Sequence, residues 1–183
     1  MGSDKTAPDF LIGGEPLAGR VTRALGEACD EVIVASGDGR RMAWLGLPQV
    51  PDALPESGPL GGLVAGLDAA THPHVAVAAA DMPFASPGIF RLLVSLIGGH
   101  DAAVPVSANG VEPLHAVYAR SALASFEAAL REGRLAVRVA LEGLAVRVVT
   151  EAEWRPVDPD GRFAENVNRP EDRESFVERP GRN

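Results

Sequence analysis

The chain has 183 residues, of which 46% are hydrophobic and 23% are charged. This length and composition are typical of one soluble globular domain, and we predict that the domain spans residues 1–183. Its single cysteine excludes an internal disulfide framework and a cysteine-based zinc cage, and its net charge of −8 argues against nucleic acid as a partner. The sequence contains neither a run of 18 apolar residues nor an apolar amino-terminal leader, so we predict a cytoplasmic protein that does not enter a membrane.

Short apolar runs alternate along the chain with longer amphipathic or alanine-rich stretches. Helices are predicted at 16–28, 60–70, 87–97, 121–131 and 134–141. Strands are predicted at 31–35, 74–80, 101–106, 113–119 and 144–149. Residues 36–58 are predicted as a loop with a short helical turn around Ala43 to Leu45. Ser121 is predicted to cap the helix at 121–131, and Asn168 or Pro170 to lead a last short helix.

The predicted strands are apolar on both faces and are separated by helices, a pattern that indicates a mostly parallel sheet with helices on both sides. We therefore expect an α/β fold, a three-layer sandwich around a Rossmann-like sheet. Sheets of this kind bind ligands at the carboxyl ends of their strands. Polar residues that follow the predicted strands are accordingly the first candidates for a functional site.

Lys5 is the only lysine, since the other sixteen basic residues are arginines. Lysine and arginine differ in shape and hydration, so a lysine kept in an arginine-rich chain can have a specific task. Within M-G-S-D-K at 1–5, a flexible turn followed by an ammonium group could contact a phosphate. An amino-terminal tail that happens to contain one lysine explains the same residue more simply.

A second candidate is the glycine-rich segment that opens the helix predicted at 60–70. Glycines allow close backbone approach, and the first turn of a helix presents unpaired N–H groups to an acceptor. Helix packing alone would explain the glycines equally well. The segment consists of Gly58, Pro59, Leu60, Gly61 and Gly62.

The third candidate is Asp81, because the apolar strand predicted at 74–80 runs directly into it. A carboxylate at the carboxyl end of such a strand lies at the ligand-binding edge of the sheet. Its hard oxygens suit Mg²⁺, which typically takes one or two protein carboxylates and the phosphates of a substrate. Asp81 could instead cap the next helix, but Ser86 is better placed for that role, so the sequence favours a metal ligand.

The fourth candidate is the pair Asn166 and Asn168, which flank a valine ahead of Pro170. Two amide side chains offer donors and acceptors to a polar ligand. Asn168 is also a good helix cap in this position. Both interpretations hold together if Asn168 caps the helix and Asn166 is free for ligand.

Among the four histidines, only His115 lies on a predicted apolar strand, at 113–119. We predict that it is a satisfied core or near-site histidine rather than a metal ligand. No pair of histidines has metal-binding spacing, and no serine or cysteine stands in a nucleophile motif.

Taken in order, these segments resemble the molybdenum cofactor guanylyltransferases. Each motif is weak by itself, but their common order along nearly the whole chain is specific. The last motif has one residue more than the family pattern F-x-N-V-N. The matching motifs are M-G-S-D-K at 1–5, G-E-P-L at 14–17, D-E-V-I-V at 30–34, Asp52, G-P-L-G-G at 58–62, D-M-P-F at 81–84, E-P-L-H-A-V-Y at 112–118 and F-A-E-N-V-N-R-P-E-D at 163–172.

The resemblance implies the fold of nucleotide-diphospho-sugar transferases and a reaction in which GMP passes from GTP to molybdopterin, with release of pyrophosphate. It implies Mg²⁺ as cofactor, held by Asp81, and Lys5 on the GTP phosphates. Asp52 and the segment 58–62 would line the guanosine side, and Asn166 and Asn168 the pterin side. Molybdoenzyme apoproteins or cofactor-handling proteins are further possible partners.

The family also has a strand and a glycine-rich L-A-G-G loop ahead of the motif that matches residues 1–5. We therefore expect the first strand of the sheet and much of the triphosphate cradle to lie outside this sequence. The native protein would then begin roughly 10–20 residues before Met1, which is about one strand and a loop.

Two alternatives remain open at this point. A related nucleotidyltransferase could use CTP or another cofactor substrate, although the segment 58–62 resembles the guanine-using branch. A catalytically inactive protein that binds or carries molybdopterin would fit the expected loss of the amino-terminal loop.

Overall fold

The structure is a computed structural model and describes residues 4–167. The last short helix predicted from Asn168 or Pro170 lies outside the described residues, and so does Asn168 itself. Within residues 4–167, no helix has both the length and the apolar character needed to cross a bilayer.

Helices and short strands alternate along the described part of the chain. The helices are α1 (Leu17–Gly26), α2 (Gly58–Ala69), α3 (Pro87–Leu96), α4 (Leu123–Arg131), α5 (Val137–Ala140) and α6 (Glu151–Trp154). The strands are β1 (Leu11–Ile12), β2 (Glu15–Pro16), β3 (Val34–Ala35), β4 (Gln49–Val50), β5 (His74–Ala78), β6 (Ala102–Ser107), β7 (Gly110–Val111), β8 (His115–Ala119) and β9 (Val146–Val149). Single 3₁₀ turns lie at Ala43–Leu45, Arg120–Ala122 and Arg162–Ala164.

All ten predicted helices and strands of the region 16–149 are present, but several boundaries differ. The strand predicted at 31–35 is reduced to β3, which pairs only with β4 among the described strands. The prediction that Ser121 caps a helix is wrong: Ser121 lies inside the 3₁₀ turn that precedes α4, and the residue before α4 is Ala122. A helical turn at 120–122 leaves Ser121 no extended backbone from which to cap.

The five-stranded sheet has the order β5-β8-β6-β7, and β9 pairs with β6. The β6–β9 pair is parallel, whereas β8 pairs antiparallel with both β5 and β6. Because both neighbours oppose β8, strands β5, β6 and β9 all run in one direction. Strand β7 also pairs antiparallel with β6, so β7 and β8 both run opposite to the other three strands. The sheet is therefore mixed, and not mostly parallel in its pairings as expected.

Helices cover both faces of this sheet, which confirms the three-layer α/β prediction. Alternate residues of a strand point to opposite faces, so Ala102 and Val104 of β6 join one core while Ala103 joins the other. Residues of α2, α4 and α5 complete the first core, and residues of α1, α3 and α6 complete the second. The sheet edge at the carboxyl end of β5 remains open to solvent between these layers.

His115 is the polar centre of the second face, which confirms the predicted core position. The prediction that it is satisfied is wrong for one ring nitrogen, because its buried Nδ1 atom has no hydrogen-bond partner among the described residues. It is completely buried, and its ring stacks on Phe90 at a centroid distance of 4.1 Å. The Nε2 atom accepts a hydrogen bond of 3.0 Å from the backbone N–H of Ser86. Burial penalises the charged imidazolium and lowers the pKa of His115 from 6.5 to about 3.

We expect this buried histidine to make stability depend on pH between 7 and 5. The folded-state pKa lies below the unfolded value, so the unfolded chain binds the extra proton and the folded state loses stability as pH falls below about 6.5. Replacing the residue by glutamine (His115→Gln) removes that titration. The stability advantage of the wild type over His115→Gln should shrink by about 2 kcal/mol from pH 7 to pH 5, measured by urea unfolding. Parallel pH profiles for the two proteins would contradict the assignment.

Candidate active site

A cleft with a volume of about 1010 Å³ separates β3 from β5, and helices α1 and α2 form its other walls. We call it the β3–β5 cleft. Most of its length is apolar, but polar and glycine residues gather at one end, where β3 and β5 finish. This polar end is lined by Asp4, Lys5, Thr6, Ser36, Gly37, Asp52, Gly58, Pro59, Gly62 and Asp81. Six of the ten residues predicted for the nucleotide or pterin site therefore meet in one place.

Asp81 stands three residues beyond β5 and faces Lys5 at a distance of 3.7 Å between Oδ2 and Nζ. The two side chains are 34% and 30% exposed, so an incoming ligand can reach both. The helix-cap alternative for Asp81 does not hold, because Ser86 caps α3 by accepting a hydrogen bond from the Ile89 N–H. A carboxylate that is free of capping remains available to a metal ion.

Residues 4–6 are held at the cleft by contacts that the sequence did not indicate. Asp4 accepts hydrogen bonds from the Arg41 guanidinium at 2.7 and 3.1 Å and from the Thr6 hydroxyl at 2.7 Å. These hydrogen bonds, above all those from Arg41, lower the pKa of Asp4 to about 2. Trp44 Nε1 donates to the Thr6 carbonyl. Lys5 lies between these two anchored neighbours and is thereby presented to Asp81. The partners of Asp4 and Thr6 lie 37 and 38 positions further along the chain, so no local sequence pattern could reveal them.

Asp52 follows β4 and fixes the loop after β3, because its Oδ1 accepts a 3.2 Å hydrogen bond from the Gly37 N–H. Helix α2 packs directly on this pair of strands. A Cβ at Gly62 would lie 3.4 Å from the Ala35 side chain and 3.5 Å from Asp52 Oδ1. The glycine thus allows the first turn of α2 to approach the carboxyl ends of β3 and β4.

The amino-terminal turn of α2 presents backbone N–H groups without a side-chain cap. Ser57 precedes the helix, but its hydroxyl donates to the Leu54 carbonyl and leaves the helix uncapped. Gly58 has φ +62°, a conformation that favours glycine, and Pro59 follows in the first turn. Leu60 is completely buried in the core, so only its backbone could serve a ligand. An uncapped helix start of this kind favours an anion.

Asn166 is exposed, and the next residue ties its segment to the Asp81 turn. Val167 is fully buried and donates its N–H to the Asp81 carbonyl at 2.9 Å. Asn166 therefore lies beside the turn that carries Asp81. Asn168, the second predicted residue of this pair, lies outside the described residues.

Two arginines that the sequence did not single out support the turn at 81–84 from its other side. Arg20 donates from Nε to the Pro83 carbonyl at 3.3 Å. The guanidinium carbon of Arg162 lies 3.5 Å from the centroid of the Phe84 ring, a cation–π contact. Together with the bonds from Ser86 to His115 and from Val167 to Asp81, these contacts fix the turn at four points. This explains how one carboxylate can be positioned without a cluster of ligands.

The donor set fits a magnesium ion shared with a ligand better than a protein-bound metal centre. Within residues 4–167, no group of three or more histidine, cysteine, aspartate or glutamate side chains could hold an ion. Asp81 offers one carboxylate beside a cation. Mg²⁺ commonly binds in this way, through one or two carboxylates and substrate phosphates.

Comparisons with known proteins agree with the geometry. The family model described as "MobA-like NTP transferase domain" matches residues 1–152 of this chain. Proteins named molybdenum cofactor guanylyltransferase and probable molybdenum cofactor guanylyltransferase, from Desulfosudis oleivorans and Pelotomaculum thermopropionicum, are 32% and 34% identical to the chain. These matches cover 90% and 94% of this chain and 82% and 83% of the relatives. The crystal structure of molybdopterin-guanine dinucleotide biosynthesis protein A from Archaeoglobus fulgidus has a TM-score of 0.80 at 26% identity, with 93% of this chain and 88% of that chain covered.

The glycines of α2 provide a test of how tightly its first turn packs. A Cβ at Gly61 would overlap Ser57 Oγ and lie 3.2 Å from the Leu54 carbonyl, whereas a Cβ at Gly66 meets nothing within 4 Å. We expect Gly61→Ala to lower the free energy of unfolding by about 1–3 kcal/mol. The matched variant Gly66→Ala should raise it by about 0.5–1 kcal/mol, because alanine is the better helix former. Equal urea midpoints for the two variants would contradict the close packing.

Proposed function

The chain belongs to the MobA-like NTP transferase family, and on that premise we propose that it is a molybdenum cofactor guanylyltransferase, which transfers GMP from GTP to molybdopterin and releases pyrophosphate. The observation that carries the proposal is the meeting of Lys5 and Asp81 with Asp52 and the start of α2 at one end of the β3–β5 cleft. A cation, a carboxylate and free N–H groups are what a metal–triphosphate complex requires.

In this proposal Lys5 and the N–H groups of α2 bind the triphosphate of GTP. Lys5 acts as a point charge on a flexible stem, and the helix start supplies fixed partial positive charge. Asp52 and the segment 58–62 line the guanosine side. Asp81 holds Mg²⁺, which when bound neutralises phosphate charge. These local groups allow a chain of net charge −8 to bind a polyanion.

The chemistry is an in-line displacement at phosphorus. A phosphate oxygen of molybdopterin attacks the α-phosphorus of GTP and forms the new P–O bond. The bond between the α-phosphorus and the oxygen bridging to the β-phosphate breaks, and pyrophosphate leaves with that electron pair. Such a reaction depends on positioning and charge neutralisation more than on covalent participation by the protein. The absence of a nucleophile motif in the sequence is consistent with this.

Asn166 and Asn168 are assigned to the pterin side. Support comes from the bond between Val167 and Asp81, since it keeps Asn166 next to the turn where the α-phosphorus would lie. Three further points stay predictions. They are that molybdoenzyme apoproteins or cofactor-handling proteins are partners, that the protein is cytoplasmic, and that residues 1–183 form a single domain.

The alternatives differ in the nucleotide and in the product. A cytidylyltransferase would use CTP in place of GTP, and a carrier would bind molybdopterin without turnover. The names of the relatives favour the guanylyl transfer. No contact within the described residues favours either alternative.

A direct assay separates these functions. The protein is incubated with molybdopterin, Mg²⁺ and either GTP or CTP, and the dinucleotide product and pyrophosphate are quantified. We expect equal amounts of guanine dinucleotide and pyrophosphate from GTP and far less product from CTP. Asp81→Asn should abolish most of the turnover, whereas the control Asp9→Asn, at an exposed position, should keep it. Faster reaction with CTP, or full activity of Asp81→Asn, would contradict the proposal.

Lys5 offers a second test, on binding alone. If its ammonium contacts phosphate as a compact charge, Lys5→Arg should weaken Mg–GTP binding by about tenfold although the charge is kept. Arg134→Lys, the reverse exchange at an exposed arginine paired with Glu132, serves as the control and should leave affinity unchanged. Isothermal titration calorimetry measures both. Unchanged affinity of Lys5→Arg would remove Lys5 from the phosphate site.

A further inference from the structure

The motif E-P-L-H-A-V-Y at 112–118 opens with a charged residue to which the proposed function gives no role. Glu112 is only 8% exposed, and it forms no ion pair with any residue in the range 4–167. A glutamate is seldom buried to this extent without a partner, because the buried carboxylate loses its hydration. The bonds that this carboxylate makes, and those that it leaves open, therefore deserve a chemical explanation.

The strand register fixes the face of the sheet on which Glu112 lies. Val111 of β7 is opposite Val106 of β6. The Glu112 N–H donates to the Pro105 carbonyl at 2.9 Å, so the antiparallel ladder continues for one more residue. Residues that are opposite each other share a face, and Pro105 shares its face with Ala103 of the core that α1, α3 and α6 complete. Glu112 thus lies on the face that these three helices cover.

Ser107 holds one oxygen of this carboxylate in place. The Ser107 hydroxyl donates a hydrogen bond to Oε1 of Glu112 and accepts one of 3.0 Å from the Asn109 N–H, in the turn between β6 and β7. Oε2 of Glu112 has no hydrogen-bond donor among the described residues, and it is not fully enclosed. The two oxygens of a carboxylate offer about four acceptor sites. Most of the bonding capacity of Glu112 is therefore open to a ligand, in a fixed direction.

Glu112 lies at the same edge of the sheet as Asp81. Strands β5 and β6 run in the same direction, so Ser107 at the end of β6 and Asp81 beyond β5 are both at the carboxyl-end edge. Only β8 separates the two strands, which places them about 10 Å apart. Glu112, bonded to Ser107, is displaced from Asp81 by about that distance along the edge.

Residues 163–167 lie on the same face and lead back to Asp81. Phe163 packs in the core of this face, with its ring centroid 5.0 Å from that of His115. Val167 donates its N–H to the Asp81 carbonyl, and Asn166 before it is exposed. Asn166 is the residue that the proposed function assigns to the pterin. The side of Asp81 on which Glu112 lies is therefore the pterin side.

The residues proposed for guanosine lie in the other direction from Asp81. Asp52 and the segment 58–62 belong to the β3–β5 cleft, on the side of β5 away from β8. Glu112 lies beyond β8, on the opposite side of β5. A ligand that reaches from Asp81 to Glu112 extends away from the nucleotide, as the acceptor of a nucleotidyl group must.

We propose that Glu112 binds the pterin ring of molybdopterin, by accepting hydrogen bonds from the two adjacent N–H donors of its 2-amino-4-oxopyrimidine edge, the 2-amino group and the ring N3–H. Two parallel N–H donors match the two oxygens of a carboxylate in a bidentate pair. Ser107 is the positioning residue, because it fixes the plane of that carboxylate. The inference rests on the proposed function for the identity of the acceptor.

Guanine presents the same pair of N–H donors as a pterin, so GTP is a second source of this chemistry. The placement favours the pterin, because Glu112 and the residues proposed for guanosine lie on opposite sides of β5. The experiment therefore has an arm for each ligand.

The first arm compares two pteridines that differ at one position. Both carry a phosphooxymethyl group at C6; one is a pterin with its 2-amino group, and in the other, a lumazine, an oxygen replaces that group. Pteridine fluorescence measures both dissociation constants in the presence of Mg²⁺. We expect the wild type to bind the pterin at least about tenfold more tightly, because the lumazine turns an oxygen towards the carboxylate. Equal affinities, or no binding of either compound, would overturn the inference.

The second arm repeats these titrations with Glu112→Gln, which keeps the shape of the side chain and an acceptor for the Ser107 hydroxyl. The preference for the pterin should fall below about threefold, because an amide accepts from only one of the two donors and turns its NH₂ group towards the other. The exposed Glu142→Gln is the matched control and should keep the preference of the wild type. An undiminished preference in Glu112→Gln would refute the role of this residue.

The third arm uses steady-state kinetics to separate the pterin from guanine. Glu112→Gln should raise the KM for molybdopterin about tenfold and leave kcat and the KM for GTP within about twofold of the wild type. A rise in the KM for GTP alone would assign the contact to guanine and overturn the inference. The pteridine titrations need no turnover, so a protein that prefers the pterin but forms no guanine dinucleotide would contradict the proposed function and leave the role of Glu112 standing.

Discussion

The site depends on the fixed position of the turn that follows β5. A strand of alanines and valines runs into Asp81, and the turn behind it is held by bonds from Ser86 to His115, from Val167 to Asp81 and from Arg20 to Pro83. These partners come from β8, from the segment after α6 and from α1, so three separate parts of the fold converge on a few residues. One carboxylate can then be placed accurately without the support of further acidic ligands.

The β3–β5 cleft combines two environments within one space. Along most of its length it is apolar and bordered by the edges of two strands, whereas its end carries Lys5, Asp52, Asp81 and the first turn of α2. The contacts of Asp4 with Arg41 and of Lys5 with Asp81 join the two sides at this end. Under the proposed function, these few residues at the polar end are the ones that receive the nucleotide.

The sequence predicted those parts of the fold that depend on local chemistry. The stripe of α1, the proline at the start of α3 and the cap by Ser86 could be recognised from neighbouring residues, and so could Asp81 at the end of an apolar run. Contacts between distant residues could not be predicted. The bond between Asp4 and Arg41, the stacking of Arg162 on Phe84 and the reversed strand β8 depend on tertiary packing, which leaves no pattern in a single sequence. The cap assigned to Ser121 failed for the related reason that a 3₁₀ turn replaced the expected start of α4.

The central claim is that the nucleotide binds at the polar end of the cleft. Amide hydrogen exchange, measured with and without Mg–GTP, tests this claim most directly. Mg–GTP should slow exchange at the amides of residues 4–6, at the first turn of α2 and around Asp81. The amides around Val157 and Asp160, near a smaller cavity of about 350 Å³ that is lined by α1, residues 83–87 and residues 157–162, should be unaffected. Protection confined to that second region, with no change at residues 4–6 or 58–62, would contradict the account.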